Sequence, residues 1–224
     1  MTNRDGGAEA AYARALDGII GLYRTGRLEE AYVAGLQLLP LRPGDVDFLH
    51  LIGGIAVQAG RLEDGLVLLS RAAETAPDNF DILLHLGSAL HGAGGAGRLK
   101  EAEAVLRRAL AIQPGNGEAL NNLGAVIKAM GRPGEAAVLF HRAVEAMPEF
   151  AVAHLNLGKA LFATGNCGPA EGAFSQALTL DGSLIEAHIG LGNALKGQGR
   201  HGRAVAAYRR AIELEPFSAS AHYN

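Results

Sequence analysis

The sequence has no tryptophan, a single cysteine and few aromatic side chains, which make up 5% of its 224 residues. One cysteine, Cys167, excludes a disulfide framework and a cysteine-based metal site, and fits a reducing, intracellular setting. No run approaches the ~18 unbroken apolar residues of a membrane span. The opening stretch, MTNRDGGAEAAYARA, lacks an apolar signal-peptide core. Neither sign of charge dominates: 20 basic residues face 23 acidic ones, for a formal net charge of −3. Neither half is strongly basic, so a nucleic-acid backbone is not a favoured partner. These absences point to a chain without membrane insertion, expected in the cytoplasm. Catalytic signals are also missing. No serine sits in a nucleophile elbow, and Cys167 lies in TGNCGPA with no histidine near it in sequence. The chain is therefore not expected to be an enzyme by itself, and no cofactor is expected.

What is present is periodic. Pro43 and Pro77 are 34 residues apart, as are Pro114 and Pro148, and Pro216 lies 68 beyond Pro148 with Gly182 at the midpoint. Placing proline at position 32 of each unit gives six units: 12–45, 46–79, 80–116, 117–150, 151–184 and 185–218, the third being three residues longer. Position 8 is then Gly53, Gly87, Gly124, Gly158 and Gly192, with Ile19 the exception. Position 20 is Ala31, Gly65, Ala102, Ala136, Ala170 and Ala204. Position 24 ends in Phe140, Phe174 and Tyr208, and position 27 is alanine after Leu38. Position 15 is Gly26, Gly60, Gly97, Gly131, Gly165 and Gly199.

Apolar residues recur at helical spacing on both sides of the position-15 glycine, as in Leu120, Leu123 and Ile127, then Ala136, Leu139, Phe140 and Ala143. Each unit therefore reads as two amphipathic helices. The glycine stands where a helix C-terminus needs a left-handed residue, and the proline ends the second helix. Small residues at 8, 20 and 27 let helices approach, and the bulky residue at 24 fills the space between them. With these columns the chain resembles the tetratricopeptide repeat family, whose pattern is a 34-residue helix–turn–helix. The resemblance covers residues 12–218 and implies an all-α, right-handed superhelical solenoid of antiparallel helix pairs. The family's position-4 tryptophan is absent throughout. Residues 1–11 are expected to be a disordered tail, and 219–224 to begin a seventh unit cut short.

Two motifs point elsewhere. GAGGAG at 92–97 matches the dinucleotide fingerprint G-x-G-x-x-G, but that fingerprint needs a strand before it, and the repeat register puts a helix there. His154, His188 and His222 share position 4 in successive units. A zinc site would need nitrogens about 2.1 Å from one ion, and no second ligand cluster supports one. The histidines are expected to replace the family's tryptophan as half-buried packing residues with a polar edge, and no metal site is expected.

First helices line the concave face in the family that this chain resembles. Position 6 reads Asp17, Leu51, His85, Asn122, Asn156, Gly190 and Asn224, and positions 9 and 12 add Ser88, His91, Lys128, Lys159, Asn193 and Lys196. Candidate peptide-binding residues are therefore Asn122, Asn156, His85, Ser88, Lys128, Lys159, Asn193 and Lys196. An asparagine amide can pair with a peptide's C=O and N–H whatever the side chains. The expected function is a protein–protein interaction scaffold holding an extended peptide in this groove. The run NLG…AL also looks like the repeat arm of O-linked N-acetylglucosamine transferases, in which an asparagine ladder contacts the acceptor peptide. The alternative is therefore the substrate-recognition arm of a larger glycosyltransferase with its reacting groups outside these residues. The co-chaperone carboxylate clamp is not expected, because its cations are missing at the matching positions. An uncovered apolar edge around Ala204, Tyr208, Ala211 and Ile212 suggests self-association there, or a chain that continues.

Overall fold

The computed structural model describes residues 3–215, and among these every regular element is helical. The chain forms two compact units, divided between Ile112 and Gln113. The first holds three helix pairs: α1 (Asn3–Arg24) with α2 (Leu28–Leu38), α3 (Val46–Gln58) with α4 (Leu62–Thr75), and α5 (Phe80–Ala93) with α6 (Ala96–Ile112). The second holds three more: α7 (Gly117–Ala129) with α8 (Pro133–Ala146), α9 (Ala151–Ala163) with α10 (Cys167–Leu180), and α11 (Ile185–Gly197) with α12 (His201–Leu214). In each unit the second helix of one pair also packs on the first helix of the next. The fold is an all-α array of helix pairs.

Five pairs turn on a glycine in the left-handed region: Gly26, Gly60, Gly131, Gly165 and Gly199, with φ between 74° and 80°. The next N–H then reaches back to the helix end, as Arg132 N does to Ile127 O at 3.1 Å. This closes carbonyls that the helix leaves free. The α5–α6 pair departs from expectation. Its turn uses Gly94 (φ 66°) and Gly95 (φ 83°), and Gly97 lies inside α6. The inserted residues moved the turn upstream. The element before this glycine run is helix α5, so the strand required by a dinucleotide fingerprint is absent.

Large and small residues interlock within each pair. A Cβ added to Gly124 would lie 2.7 Å from Phe140 Cε1, and one on Gly158 2.7 Å from Phe174 Cδ1. Gly53 and Gly87 face Leu69 and Leu106 in the same way, and Gly192 faces Tyr208. The first pair reverses the bulk: position 8 is Ile19, 2% exposed, and position 24 is Gly35. Gly190 has its own steric reason, since a Cβ there would lie 2.5 Å from Phe174 Cε1.

The loops between pairs are closed in two ways. Asp45, Asn79 and Asn116 cap α3, α5 and α7 by accepting from Phe48 N (3.0 Å), Ile82 N (3.2 Å) and Ala119 N (3.0 Å). The corresponding residues before α9 and α11 are Phe150 and Leu184, which have no such oxygen. There the position-4 histidines take over. His154 Nε2 meets Pro148 O at 2.9 Å, and His188 Nε2 meets Gly182 O at 3.1 Å. Both rings are half-buried.

Three expectations need correction or limits. Within the stretch 1–11, read as a tail, α1 begins at Asn3. It is held by Tyr12, which packs edge-on against Phe48 at 6.0 Å, while Arg42 lies 4.2 Å over the Tyr12 ring and pairs with Glu9. Ala204, Tyr208 and Ala211, expected on an uncovered edge of α12, are buried and Ile212 is half-buried. Residues 219–224, read as the start of a seventh unit, lie outside the described residues, as does His222.

Candidate functional site

Side chains from the first helices meet at a fixed stagger. A residue at position 5 of one pair touches position 6 of the next, 35 residues on. In the second unit this joins Asn121 of α7 to Asn156 of α9: Asn156 Nδ2 donates to Asn121 Oδ1 at 2.9 Å. Asn121 Nδ2 donates in turn to Asn122 Oδ1 at 3.4 Å. Asn121 is only 6% exposed, and this bonding is what allows an amide to be buried there. The Asn122 amide NH₂ and the Asn156 carbonyl are left at the two ends of the chain, on half-buried side chains, with no hydrogen bond among the described residues. The expected independent grip of Asn122 and Asn156 is therefore one connected amide chain through Asn121.

The lysines lie on the same helices. Lys128 is half-buried and makes no ion pair among the described residues. Burial holds its ammonium below the usual lysine range, Lys159 adds to that, and Glu186 opposes it. Lys159 Nζ is paired with Glu186 at 2.7 Å. Asn193 is drawn into its own pair, where its Oδ1 accepts from the Tyr208 hydroxyl at 2.8 Å. Lys196 is exposed near the end of α11.

In the first unit the same stagger brings His50 Nε2 of α3 to His85 Nδ1 of α5 at 2.6 Å. Tyr23 of α1 and Gln58 of α3 are also 35 residues apart, and Gln58 Nε2 donates to the Tyr23 hydroxyl at 3.0 Å. These residues, with Asp47, Leu51, Gly54 and Ile55, line a pocket of about 250 Å³. Exposed Ser88 and His85 border an adjoining one of about 170 Å³. Burial pushes the His50 imidazole below the usual histidine range and His85 pushes it further, while Asp81 and Asp47 act the other way.

The position-6 and position-9/12 columns pointed to His85, Ser88, Asn122, Asn156, Lys128, Lys159, Asn193 and Lys196, but not to Asn121, His50, Tyr23 or Gln58. The usable signal was the offset of 35 rather than 34: His50–His85, Asn121–Asn156 and Tyr23–Gln58 all show it. Among the described residues no three His, Cys, Asp or Glu side chains converge to hold a metal ion, and no helix is long and apolar enough to cross a membrane.

Models of the family described as tetratricopeptide repeat match residues 51–117, 128–184 and 185–218. No curated protein sequence matches. Similar solved structures include PilW, described as a widely conserved type IV pilus biogenesis factor, at 19% identity and TM-score 0.83, covering 95% of this chain and 97% of that one. PilF of Pseudomonas aeruginosa is similar at 18% identity and TM-score 0.80, covering 97% of each chain. YrrB, described as a TPR protein with an unusual peptide-binding site, is similar at 20% identity and TM-score 0.67, covering 85% of this chain and 96% of that one. The expected likeness to the repeat arm of O-linked N-acetylglucosamine transferases is not supported by these neighbours, and the glycosyltransferase alternative is not carried to this chain.

Proposed function

The chain belongs to the tetratricopeptide repeat family, and from that premise we propose that it is a protein-interaction scaffold that holds an extended peptide segment on the first-helix face of its helix pairs. One observation carries this: the amide chain Asn156–Asn121–Asn122. Asn121 is spent internally, which fixes the orientation of its two neighbours. An amide NH₂ on α7 and an amide carbonyl on α9 then remain for a ligand. They match the C=O and N–H of a peptide backbone and ignore its side chains. Lys128 adds a charge preference. A half-buried cation without a carboxylate partner, beside a second lysine, is relieved by an acidic side chain in the bound segment. The peptide-binding site in the description of YrrB is consistent with this use of the fold. No catalytic step is assigned to the chain.

Partners captured by the wild-type protein are compared with those captured by Asn122→Ala/Asn156→Ala, which leaves buried Asn121 in place. Loss of capture is expected. Lys128→Met should weaken only partners whose bound segment carries Asp or Glu. Unchanged capture of every partner by the double variant would remove this face from the proposal.

A further inference from the structure

One register position carries two different chemistries. In the second unit Asn121 and Asn156 meet through a 2.9 Å hydrogen bond between their amides, neither of which titrates in the histidine range. In the first unit the same position holds His50 and His85, with facing nitrogens 2.6 Å apart and ring centroids 4.8 Å apart. Two imidazole nitrogens at that distance hold one proton between them: one donates N–H and the other accepts with its lone pair. One added proton goes to an outward nitrogen and keeps this bond, which becomes charge-assisted and stronger. A second added proton leaves an N–H on both facing nitrogens and no lone pair between them. The rings must then separate.

We propose that His50 and His85 form a proton-operated latch on the first-helix face of the first unit, closed up to the first added proton and opened by the second. Opening separates α3 from α5 at this point and widens the pocket bounded by Tyr23, Leu51, Gly54 and Gln58. The groups that face the pair are few. Asp47, one turn before His50 on α3, and Asp81, one turn before His85 on α5, favour charge on His50. Burial of His50 and the proximity of the two rings oppose it. From α1 the pocket receives Tyr23, and α4 gives only Leu62 and Leu69 to the adjoining one. The acids thus favour the first proton, and the geometry resists the second. A metal between the rings is the competing chemistry. It would need the nitrogens to part until each lies about 2.1 Å from the ion, and no third ligand converges on them among the described residues. The latch does not depend on what the face binds.

The test uses the full ¹⁵N-labelled chain in EDTA, titrated from about pH 8 to about pH 4.5, across the histidine range. Long-range ¹H–¹⁵N imidazole spectra should show the pair taking up its two added protons in two steps separated by more than about one pH unit. The Gly54 amide and Gln58 side-chain signals should move with the lower step, and those of Asn121 and Asn156 should not. In His50→Asn/His85→Asn, which installs the amide pair of the second unit, the Gly54 and Gln58 movements should vanish. Two rings titrating in a single step with Gly54 and Gln58 unmoved would overturn the latch, a result readable in the wild type alone. So would movements that persist in the double variant. One-to-one binding of Zn(II) at pH ~7.5 in place of EDTA, displacing both ring signals, would replace the proton with a metal.

Discussion

Gly158 and Gly172 are both helical glycines, yet a side chain has opposite consequences at the two. At Gly158 a Cβ would meet the Phe174 ring at 2.7 Å, whereas at Gly172 nothing lies within 4 Å. Gly158→Leu should overpack the α9–α10 contact and cost ~1–3 kcal/mol. Gly172→Ala should stabilise α10 by up to ~1 kcal/mol, because alanine loses less freedom in a helix. Urea denaturation of the two variants checks both signs. Gly95 makes a third case. It has open space around it but φ of 83°, so Gly95→Leu should cost ~1–2 kcal/mol through backbone strain rather than crowding. Asparagine tolerates that region, so Gly95→Asn should recover much of the loss, while Gly158→Asn should recover none.

At the scale of the helix, start signals differ along the chain: α3, α5 and α7 carry side-chain caps, and α9 and α11 do not. Asp45→Ala, Asn79→Ala and Asn116→Ala each remove an oxygen that accepts a first-turn N–H, and each should lower stability by about 1 kcal/mol in urea melts. Contact between α3 and α5 adds a pH dependence. His50 titrates near ~6.5 when unfolded and lower when folded. Between those values the unfolded chain binds more protons, so stability is full above pH ~6.5 and falls as the pH drops toward the folded-state value. The melting temperature should therefore decrease from about pH 7.5 to about pH 5, and His50→Asn should flatten that slope. Carboxylates held low by arginine, such as Glu29 beside Arg61 and Glu30 beside Arg27, act only below the ordinary carboxylate range and do not blur this window. A melting temperature that does not change across it in the wild type would remove His50 from the stability of the first unit.

Across the molecule, ion pairs decorate the surface and the buried columns carry the stability. Arg98–Glu63 and Lys159–Glu186 each leave the acid about 70% exposed, at 70% and 68%. Exposed pairs of this kind contribute ~0–1 kcal/mol and are screened by salt. Raising NaCl from about 0.05 M to about 0.5 M should therefore change urea stability by less than about 1 kcal/mol. A large loss would mean that the charge network contributes more than its exposure suggests. The buried alanines at positions 20 and 27 and the aromatic residues against the position-8 glycines are insensitive to salt and define what holds each helix pair together.

The sequence by itself determined the helix pairs, the small and large columns and five of the six turn glycines. These depend on spacing within one repeat, where a neighbour in the chain is a neighbour in space. It also placed the amides and lysines of the candidate site on first helices. Only the tertiary structure decided what those side chains touch. Neighbouring first helices are staggered by one residue, so partners stand 35 apart and do not share a column: Asn156 meets Asn121, and His85 meets His50. The structure likewise decided that the third turn falls at Gly94 and Gly95, because an insertion can be absorbed anywhere along a flexible turn. It decided that helix begins at Asn3, although the Gly6–Gly7 pair has poor helix propensity. The Asn156–Asn121 and His50–His85 pairs are contacts between distant parts of the chain, which spacing within one repeat cannot express.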